Sequence, residues 1–282
     1  MASFNTVFSG IIKDIQEFGT VAQPRSLKVS ELAPFSVALD PTNVFADFTA
    51  RPMNFKYLAG EFAWYMQRDT DIDYINQFSA FWKGITNPGT NEINSNYGRL
   101  LFGEQLQWAL DSLIKDKWSR QAIAFVNRPQ FQFEGNKDFV CTMYLNFWIR
   151  DNKLNMKVQM RSNDIFYGLT YDAPFFGFVH QHMLLWLKST YPDLELGHYH
   201  HHADNIHFYE QHFELADKIL SEPEGKNTYI MDIKAPFFTL EAGQMELTRL
   251  GKDFMSTVDK MIKDSTTVKE DWFELIDTFI LQ

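Results

Sequence analysis

Apolar residues return every three or four positions in several parts of the chain, and this spacing predicts helices. The clearest case is the segment 53–67, in which Phe55, Leu58 and Phe62 would lie along one face. Apolar spacing of this kind predicts helices over residues 4–18, 53–67, 71–78, 100–115, 173–188, 208–219 and 252–263.

The middle of the chain follows a different pattern, with short runs of apolar and β-branched residues that are typical of strands. Two of these runs flank the polar segment 150–153, which suits a hairpin turn. The segment 87–96 is rich in Asn, Gly and Pro and predicts a loop. The predicted strands cover residues 28–39 with an interruption at Pro34, 122–127, 139–149, 154–160, 229–233 and 237–241.

This mixture of helices and strands predicts an α+β fold in which several strands form one substantial sheet. No repeat, low-complexity tract or flexible linker divides the chain, so we expect a single domain over residues 1–282. Hydrophobic residues make up 45% of the chain and aromatic residues 16%, which is enough for a large core.

The formal net charge of -10 argues against a surface that binds nucleic acid, because such surfaces depend on clustered Lys and Arg. It leaves room for a single phosphate held by a few local Arg. The N-terminus lacks the features of a secretory signal, and no run approaches the roughly 18 apolar residues of a membrane span. A single cysteine is typical of a reducing compartment. The sequence therefore predicts a cytoplasmic protein with no membrane partner.

The single cysteine, Cys141, is either a buried core residue or a nucleophile, since a lone thiol forms no disulfide within the chain. A reactive thiolate needs a neighbouring cation that lowers its pKa. The next predicted strand ends at Arg161, which the hairpin would bring close to Cys141. Arg161 and Ser162, followed by Asp164, offer donors for a phosphate, or they form a solvated strand end with a surface ion pair.

Two further groups of polar residues have both a chemical and an ordinary interpretation. Glu61 lies within an apolar helix, where burial would raise its pKa toward the acid–base range, or it lies on the helix surface. The histidine run at 198–202 would place three imidazoles on one face of a strand, where they could bind zinc. That run lacks a Cys or Glu partner at a familiar spacing, so we expect no metal. His207 and Tyr209 alternate on a short predicted strand and would face one pocket.

Several sequence blocks, in their order and spacing over residues 61–212, resemble the thymidylate synthase superfamily. They are GEFAWYMQRDTDIDYI at 60–75, FW at 81–82, SNYG at 95–98, FVCT at 139–142, QMRSNDIFYGLTYD at 159–172 and NIHFYEQH at 205–212. The resemblance implies a thymidylate synthase-like fold, with one large mixed β-sheet packed with helices. It also implies a homodimer in which one face of the sheet forms the interface.

The resemblance further implies covalent chemistry on a pyrimidine nucleotide, with 5,10-methylenetetrahydrofolate as the one-carbon donor. Cys141 would attack C6 of the base, and Glu61 would order water and relay protons. The other matches imply binding roles. Arg161 and Ser162 would bind the 5′-phosphate, and His207 and Tyr209 would bind the 3′-hydroxyl. Tyr97 and Trp82 would line the cleft, and Asp164 would lie near the folate. Arg120 would match an arginine that each subunit donates across the dimer interface, and Arg25 a mobile N-terminal arginine.

Several residues depart from the family pattern. Gln121 stands where a second arginine would follow Arg120, which alters the phosphate site. Val140 and Thr142 replace the Pro and His that flank the family's catalytic cysteine, and Met160 replaces a Gln. The last residues, DTFILQ, lack the family's closing tail over the folate.

The departure with the largest chemical consequence is Asp172, because thymidylate synthases carry Asn at this position. An amide matches the N3–H donor and O4 acceptor of uracil. A carboxyl group instead accepts from the N4 amino group of cytosine and shares a proton with N3. Deoxycytidylate hydroxymethylases, a branch of the superfamily that the EINSNYG and DFVCT stretches also resemble, carry Asp. Asp172 could instead be a simple helix cap.

The resemblance therefore implies a transferase that converts deoxycytidylate (dCMP), the folate and water into 5-hydroxymethyl-dCMP and tetrahydrofolate. Other outcomes stay open from the sequence. They are methylation to 5-methyl-dCMP with release of dihydrofolate, a dUMP substrate, a CMP substrate, a catalytically silent nucleotide-binding relative, and a metalloenzyme built on the histidine run.

Overall fold

The computed structural model describes residues 2–281, and most of its helices follow the apolar periodicity of the sequence. The α-helices in this range are α1 Phe4–Phe18, α2 Phe55–Gln67, α3 Tyr97–Leu101, α4 Glu104–Lys115, α5 Thr170–Leu187, α6 Phe213–Leu220, α7 Arg249–Lys263 and α8 Lys269–Phe279. Of these, α8 was not predicted. The Asn54 side chain caps α2 by accepting from the Tyr57 N–H. None of these helices has the length and apolar character needed to cross a membrane.

The strands form two sheets and a separate hairpin within the described residues. They are β1 Thr20–Ala22, β2 Val29–Leu32, β3 Phe35–Leu39, β4 Ile123–Phe125, β5 Thr142–Arg150, β6 Lys153–Met160, β7 Asn163–Asp164, β8 Glu195–Ala203, β9 Ile206–Tyr209, β10 Phe238–Glu241 and β11 Gln244–Leu247. The larger sheet has the order β3-β8-β6-β5-β4, the smaller one β1-β2-β9-β7, and β10 pairs with β11. Because β6 runs antiparallel to β5 and parallel to β8, the larger sheet is mixed. The predicted α+β class with a large mixed sheet is confirmed.

The larger sheet buries one of its faces and leaves the other partly open. On β5, Leu145, Phe147 and Ile149 are fully buried, whereas the alternating Tyr144 and Trp148 are half-buried. A period of two is expected for a sheet with one covered face. Helix α5 packs on the covered face and is buried on most of its circumference, which explains why its sequence is apolar nearly throughout.

Two helix predictions need correction. The short helix predicted after α2 is limited to a 3-10 turn, Ile75–Gln77. Carboxylates of Asp69 and Asp71 accept from backbone N–H groups two residues further on, and such local bonds favour turns over helix. The helix predicted over 100–115 is divided between α3 and α4. Gly103, with φ of +156°, separates the two helices.

Three further assignments change, two of predicted strands and one of a predicted helix. The strand predicted over 229–233 is wrong, because its N–H groups donate to scattered partners, such as the Gln181 side chain for Ile233. The helix predicted over 208–219 begins instead with β9 and enters α6 after a 3-10 turn. Cys141 lies one residue before β5 rather than inside the strand.

Candidate active site

Cys141 lies immediately before β5, and its side chain is half-buried. The β5–β6 hairpin brings Arg161 to its side, and the Arg161 N–H donates to the Cys141 carbonyl oxygen over 2.8 Å. Arg161 Nη2 lies 3.5 Å from Cys141 Sγ. A register shift between Thr142 and Tyr144 interrupts the pairing here. Such bulges redirect side chains beside functional sites.

The environment of the thiol holds it in its protonated form. Burial raises the pKa of Cys141 to about 11, while Arg161 opposes this rise. Asp172 and Asp138 raise the pKa further, and Arg25 lowers it. Arg161 is thus the strongest influence in favour of the thiolate, and attack by the sulfur requires that its proton be taken up elsewhere in the cleft.

A buried carboxyl group, Asp138, fixes the segment that leads to the cysteine. It accepts from the N–H groups of Asn94 over 2.6 Å and Ser95 over 2.7 Å, and also from the Ser95 hydroxyl. These bonds join the loop before α3 to the loop before β5. Tyr97, the first residue of α3, lies near enough to Cys141 for the two groups to interact electrostatically.

Glu61 lies on α2 and is only 5% exposed, which excludes a surface position. Tyr57, one turn earlier, donates to Glu61 Oε1 over 2.8 Å. Burial raises the pKa of Glu61 to about 8. The Tyr57 hydrogen bond opposes the rise, Asp172 adds to it, and Tyr65 opposes it. Glu61 therefore holds a proton at neutral pH.

Asp172 lies in the first turn of α5. Its Oδ2 accepts from Asn163 Nδ2 over 2.7 Å. Burial raises the pKa of Asp172 to about 6, and the Asn163 hydrogen bond opposes the rise. The helix-cap interpretation is wrong, because α5 begins at Thr170 and the Asp172 side chain bonds to Asn163 instead of the helix backbone.

Asn163 begins a chain of buried hydrogen bonds that leads from Asp172 into the core. His201 Nε2 lies 3.0 Å from Asn163 Oδ1, and Tyr199 Oη lies 2.7 Å from His201 Nδ1. Asn163 is 3% exposed, and His201 and Tyr199 are fully buried. The carboxyl group is thus supported by side chains from two different sheets.

Cys141 and Glu61 both lie near Asp172, and the space around these three side chains is called the cleft. The charge of Asp172 raises the pKa of both the Cys141 thiol and the Glu61 carboxyl group, so Asp172 lies within electrostatic reach of each of them. Tyr97 is 6% exposed, and burial and the charge of Asp172 both raise the pKa of its phenol. A thiol, a second carboxyl group and a phenol are therefore grouped around Asp172.

One end of the cleft is positively charged. His207 and Tyr209 lie on one face of β9, with ring centroids 5.4 Å apart. Arg25 lies close enough to Tyr209 to lower its pKa against the effect of burial. Burial lowers the pKa of His207 to about 4, and Arg161 and Arg25 contribute to this. Two guanidinium groups therefore converge beside a neutral imidazole.

The other predicted cleft residues include two buried polar atoms without partners. Asp164 caps the π-helical turn Ile165–Leu169 through Oδ1, but its Oδ2 is buried and has no hydrogen-bond partner within residues 2–281. The Trp82 Nε1 lacks one in the same range, although the indole lies near the Tyr57 hydroxyl. Ser162 follows Arg161 and is half-buried.

Two of the predicted groups lie away from the cleft. Arg120 is exposed before β4 and, within the described chain, forms no ion pair. His198, His200 and His202 lie on the open face of β8, where His202 contacts Ser36 over 2.7 Å. Across residues 2–281, no group of three or more His, Cys, Asp or Glu side chains is arranged to hold a metal ion.

Several residues that support the cleft were not predicted from the sequence, and three of them illustrate the reasons. Tyr57 precedes Glu61 by four positions, a helical spacing that could have revealed their contact. Asn163 stood unassigned inside the Arg-Ser-Asn-Asp cluster. Arg51 donates to the Phe166 carbonyl oxygen in the π-helical turn, and no local pattern predicts that contact.

This arrangement defines what the cleft can do chemically. The two guanidinium groups suit a phosphate at one end. The Cys141 sulfur can add to an electrophilic carbon, and two carboxyl groups with pKa values on either side of neutrality can exchange protons with a bound ring. The cleft therefore suits covalent catalysis on a phosphorylated heterocycle.

A model of the family described as thymidylate synthase matches residues 6–251. The match spans most of the chain, and the chain belongs to the thymidylate synthase family. It is therefore a one-carbon transferase, and it acts with a folate donor on C5 of a nucleotide base.

Comparison with known proteins also finds similar phage enzymes. Deoxycytidylate 5-hydroxymethyltransferase of Enterobacteria phage T6 is 28% identical over 214 residues, which cover 72% of this chain and 85% of the relative. The enzyme of the same name from Enterobacteria phage T4 gives the same identity and coverage. Deoxyuridylate hydroxymethyltransferase of Bacillus phage SP01 is 25% identical over 220 residues, 72% of this chain and 56% of the relative.

Proposed function

We propose that this thymidylate synthase family enzyme is a deoxycytidylate 5-hydroxymethyltransferase. It would convert dCMP, 5,10-methylenetetrahydrofolate and water into 5-hydroxymethyl-dCMP and tetrahydrofolate. The observation that carries the proposal is a carboxyl group, Asp172, in the cleft that holds the Cys141 thiol. The names of the phage T6 and T4 relatives agree with this choice of base.

Asp172 supports cytosine because of its hydrogen-bonding chemistry. Cytosine presents an amino donor at C4 and an acceptor at N3. A carboxyl group with one shared proton accepts from the first and donates to the second. Uracil presents the opposite order, so its O4 would face an acceptor oxygen. Mispairing one buried polar group costs about 1–3 kcal/mol, which corresponds to about 5- to 150-fold in preference.

The same proton assists the nucleophile. Asp172, ionised at neutral pH, would take up the proton that the Cys141 thiol gives up and share it with N3, which withdraws electrons from the ring and makes C6 electrophilic. The Cys141 sulfur then bonds to C6, and the electron pair of the C5–C6 double bond makes C5 nucleophilic. C5 takes up the one-carbon unit and loses its proton, and departure of tetrahydrofolate leaves an exocyclic methylene on the ring.

Glu61 is suited to the final step. Its carboxyl group is buried, bonded to Tyr57 and close to Asp172, so it can hold a water molecule beside the ring. In its ionised form it would accept a proton as the water oxygen adds to the exocyclic methylene. Release of the Cys141 thiolate from C6 then restores the aromatic ring and gives the hydroxymethyl product.

The folate donor supplies a carbon unit at the oxidation level of formaldehyde. The cleft fits such a group because Asp164 Oδ2 is buried without a partner in the described chain and can accept from an N–H of a pterin. Trp82 Nε1 is also buried without a hydrogen-bond partner within residues 2–281, and it can donate to an acceptor on the folate. We propose Asp164 and Trp82 as residues that hold the folate.

The nucleotide's other parts would lie at the positively charged end. Arg161, Arg25 and Ser162 supply donors for the 5′-phosphate. His207 and Tyr209, neutral at physiological pH, would bind the 3′-hydroxyl. The His207 Nδ1 already contacts Asn205 over 2.8 Å, which leaves Nε2 for the sugar.

Release of tritium from C5 tests the proposal. Purified enzyme is mixed with the folate and either [5-³H]dCMP or [5-³H]dUMP. The proposal predicts release that depends on the folate and a higher kcat/KM for dCMP. Preference for dUMP would support the activity named for the phage SP01 relative. Absence of release from both nucleotides, with correctly folded protein, would support a silent relative and refute the proposal.

We also propose that the enzyme is a homodimer built on the open face of the larger sheet. Tyr144, Trp148 and His200 lie half-buried on that face, and the Trp148 and His200 rings are 5.5 Å apart. Exposed aromatic area of this kind is typical of association surfaces. Arg120, remote from the cleft of its own chain, would complete the phosphate site of the partner subunit.

Mixing two inactive variants tests this arrangement. Chains with Arg120→Ala and chains with Cys141→Ser are combined, unfolded and refolded together. In a symmetric dimer, random pairing restores about a quarter of the intact sites. Recovery of activity supports an arginine shared across the interface. A mixture with no more activity than either variant, or an active monomer in light scattering, would refute the shared site.

A further inference from the structure

We propose that Asn163 makes the carboxyl group of Asp172 selective for cytosine, by keeping Asp172 Oδ2 a hydrogen-bond acceptor and confining the shared proton to Oδ1. Asn163 is thus a positioning residue that acts through Asp172. The inference rests on the proposed dCMP substrate. It explains how a carboxyl group, which has two equivalent oxygens, distinguishes two bases of the same shape.

The chemical problem is that a lone carboxyl group suits both bases. With one proton it presents an acceptor oxygen and an O–H donor. If the acceptor faces the C4 substituent and the donor faces N3, it pairs with cytosine. If the proton moves to the other oxygen, the same group pairs with uracil, as an amide does. Without further support, Asp172 would therefore accept either base.

Asn163 removes this ambiguity because its amide has a fixed orientation. Its Oδ1 lies 3.0 Å from His201 Nε2, and Tyr199 Oη lies 2.7 Å from His201 Nδ1. An amide oxygen only accepts, so His201 donates from Nε2 and accepts at Nδ1 from the Tyr199 hydroxyl. The amide nitrogen of Asn163 must then face Asp172, where it donates to Oδ2 over 2.7 Å.

A donated hydrogen bond favours the oxygen that carries negative charge and disfavours protonation of that oxygen. Oδ2 therefore remains an acceptor, and a proton shared with the base resides on Oδ1. The ring cannot turn over to meet the reversed order, because its C6 must face Cys141 and its phosphate must face Arg161. We assign Oδ2 to the C4 side of the bound ring and Oδ1 to the N3 side. With this placement the order of acceptor and donor matches cytosine alone.

The contact between Asn163 and Asp172 is tightly enclosed. Gly168, in the π-helical turn, packs directly over it. A Cβ at Gly168 would lie 2.5 Å from Asn163 Nδ2 and 3.1 Å from Asp172 Oδ2. The amide and the carboxyl group therefore have little freedom to part, which is the condition for a fixed proton position.

A buried Asn163 amide with all its hydrogen bonds formed could also serve only to stabilise the fold. The experiment must therefore separate a role in stability from a role in the choice of base. Asn163→Leu removes the amide donor at similar volume. Asn5→Ala is the matched control, because Asn5 is 1% exposed and bonds to backbone groups of Asp47 and Asn227 instead of the cleft. Folding of each variant is followed by circular dichroism and thermal unfolding. The readout is the ratio of kcat/KM for dCMP to kcat/KM for dUMP, with the ratio of dissociation constants as a second measurement.

We expect Asn163→Leu to lower the dCMP-to-dUMP ratio about 10-fold or more, because the proton can then reside on either oxygen. Asn5→Ala should leave the ratio unchanged even if it lowers thermal stability. If Asn163→Leu fails to fold, Gly168→Ala displaces the same contact by a single methyl group and should also lower the ratio. Tyr199→Phe, which frees the His201 tautomer, should lower it about 2- to 5-fold.

An unchanged ratio in folded Asn163→Leu or Gly168→Ala protein, or an equal change in Asn5→Ala, would overturn the inference. In that case a wild-type preference for dCMP would leave the proposed function intact. A wild-type enzyme that prefers dUMP would overturn both. The wild-type ratio therefore distinguishes failure of the substrate proposal from failure of the role given to Asn163.

Discussion

Glu61 and Asp172, two carboxyl groups of the cleft, have similar ordinary pKa values, and the fold moves these values to opposite sides of neutrality. Burial is the largest cause in both cases, and it raises the pKa of Glu61 to about 8 and that of Asp172 to about 6. At neutral pH the first holds a proton and the second is mostly ionised. The difference teaches that depth of burial and neighbouring donors, rather than residue type, divide the acid–base roles.

The supports of the two groups also differ in origin. Glu61 is bonded by Tyr57 from the same helix, so its environment is largely local in the sequence. Asp172 depends on Asn163, His201 and Tyr199, which lie on β7 and β8. We therefore expect the α2 side to govern the hydration step and the α5 side to govern choice of base.

Removal of the nucleophile should have the largest effect, because every step after its attack takes place on a ring that is bonded to Cys141. Cys141→Ser should lower turnover of dCMP about 10,000-fold or more, while nucleotide binding is retained. Steady-state kinetics and calorimetric titration with dCMP measure the two properties. Full turnover in the folded variant would show that Cys141 is not the nucleophile.

Substitution of Glu61 should separate the two sides of the cleft. Glu61→Gln keeps the size of the side chain but removes its capacity to accept a proton, so formation of hydroxymethyl product should fall about 100- to 10,000-fold. Tritium release from [5-³H]dCMP should fall less, because it precedes addition of water. Equal losses in both assays would mean that Glu61 acts before the hydration step and would break the proposed division of roles.

Substitution of Asp172, on the α5 side of the cleft, should alter the preference between dCMP and dUMP more than it alters the rate of turnover. Asp172→Asn should move the dCMP-to-dUMP ratio of kcat/KM toward dUMP by about 5- to 150-fold, because an amide matches uracil. Asp164→Asn is the matched control, since that carboxyl group lies in the cleft but is assigned to the folate. If both variants keep the wild-type ratio, Asp172 does not select the base.

The smallest expected effect concerns pH. The Tyr57 hydrogen bond lowers the pKa of Glu61, so Tyr57→Phe should raise that pKa and reduce the ionised fraction at neutral pH. If ionised Glu61 accepts the proton of water, kcat rises with pH through its pKa, and the variant's rise should occur at higher pH. At pH 7 we expect a loss of about 2- to 10-fold. A profile that is unchanged or moves to lower pH would contradict this sign.

Much of the fold could be predicted from periodicity, because α1, α2, α7 and the β5–β6 hairpin bury a regular apolar face. The predictions of secondary structure were wrong where side chains form hydrogen bonds with backbone N–H groups and so replace the bonds of a helix or strand. Asp69 and Asp71 favour turns after α2, and the Gln181 side chain binds the N–H of Ile233 in place of a strand. Apolar pattern alone contains no information about such bonds.

The candidate site shows the same limit. The hairpin predicted from residues 139–160 placed Arg161 near Cys141, and the structure has them in contact. The partners of Asp172 could not be predicted, because they lie on separate elements. Asn163 of β7 contacts both His201 of β8 and Asp172 of α5, and these contacts depend on how the three elements pack. Long-range pairing of this kind is fixed by tertiary packing and leaves no spacing signal in the chain.

Identification of the product by mass spectrometry tests the central claim most directly. The enzyme is supplied with dCMP and 5,10-methylenetetrahydrofolate in water enriched in oxygen-18, with dUMP as a competing substrate. The account predicts 5-hydroxymethyl-dCMP as the main product, with the heavy oxygen in its new hydroxyl group, together with tetrahydrofolate. Formation of 5-methyl-dCMP with dihydrofolate, or modification of dUMP in preference to dCMP, would contradict it.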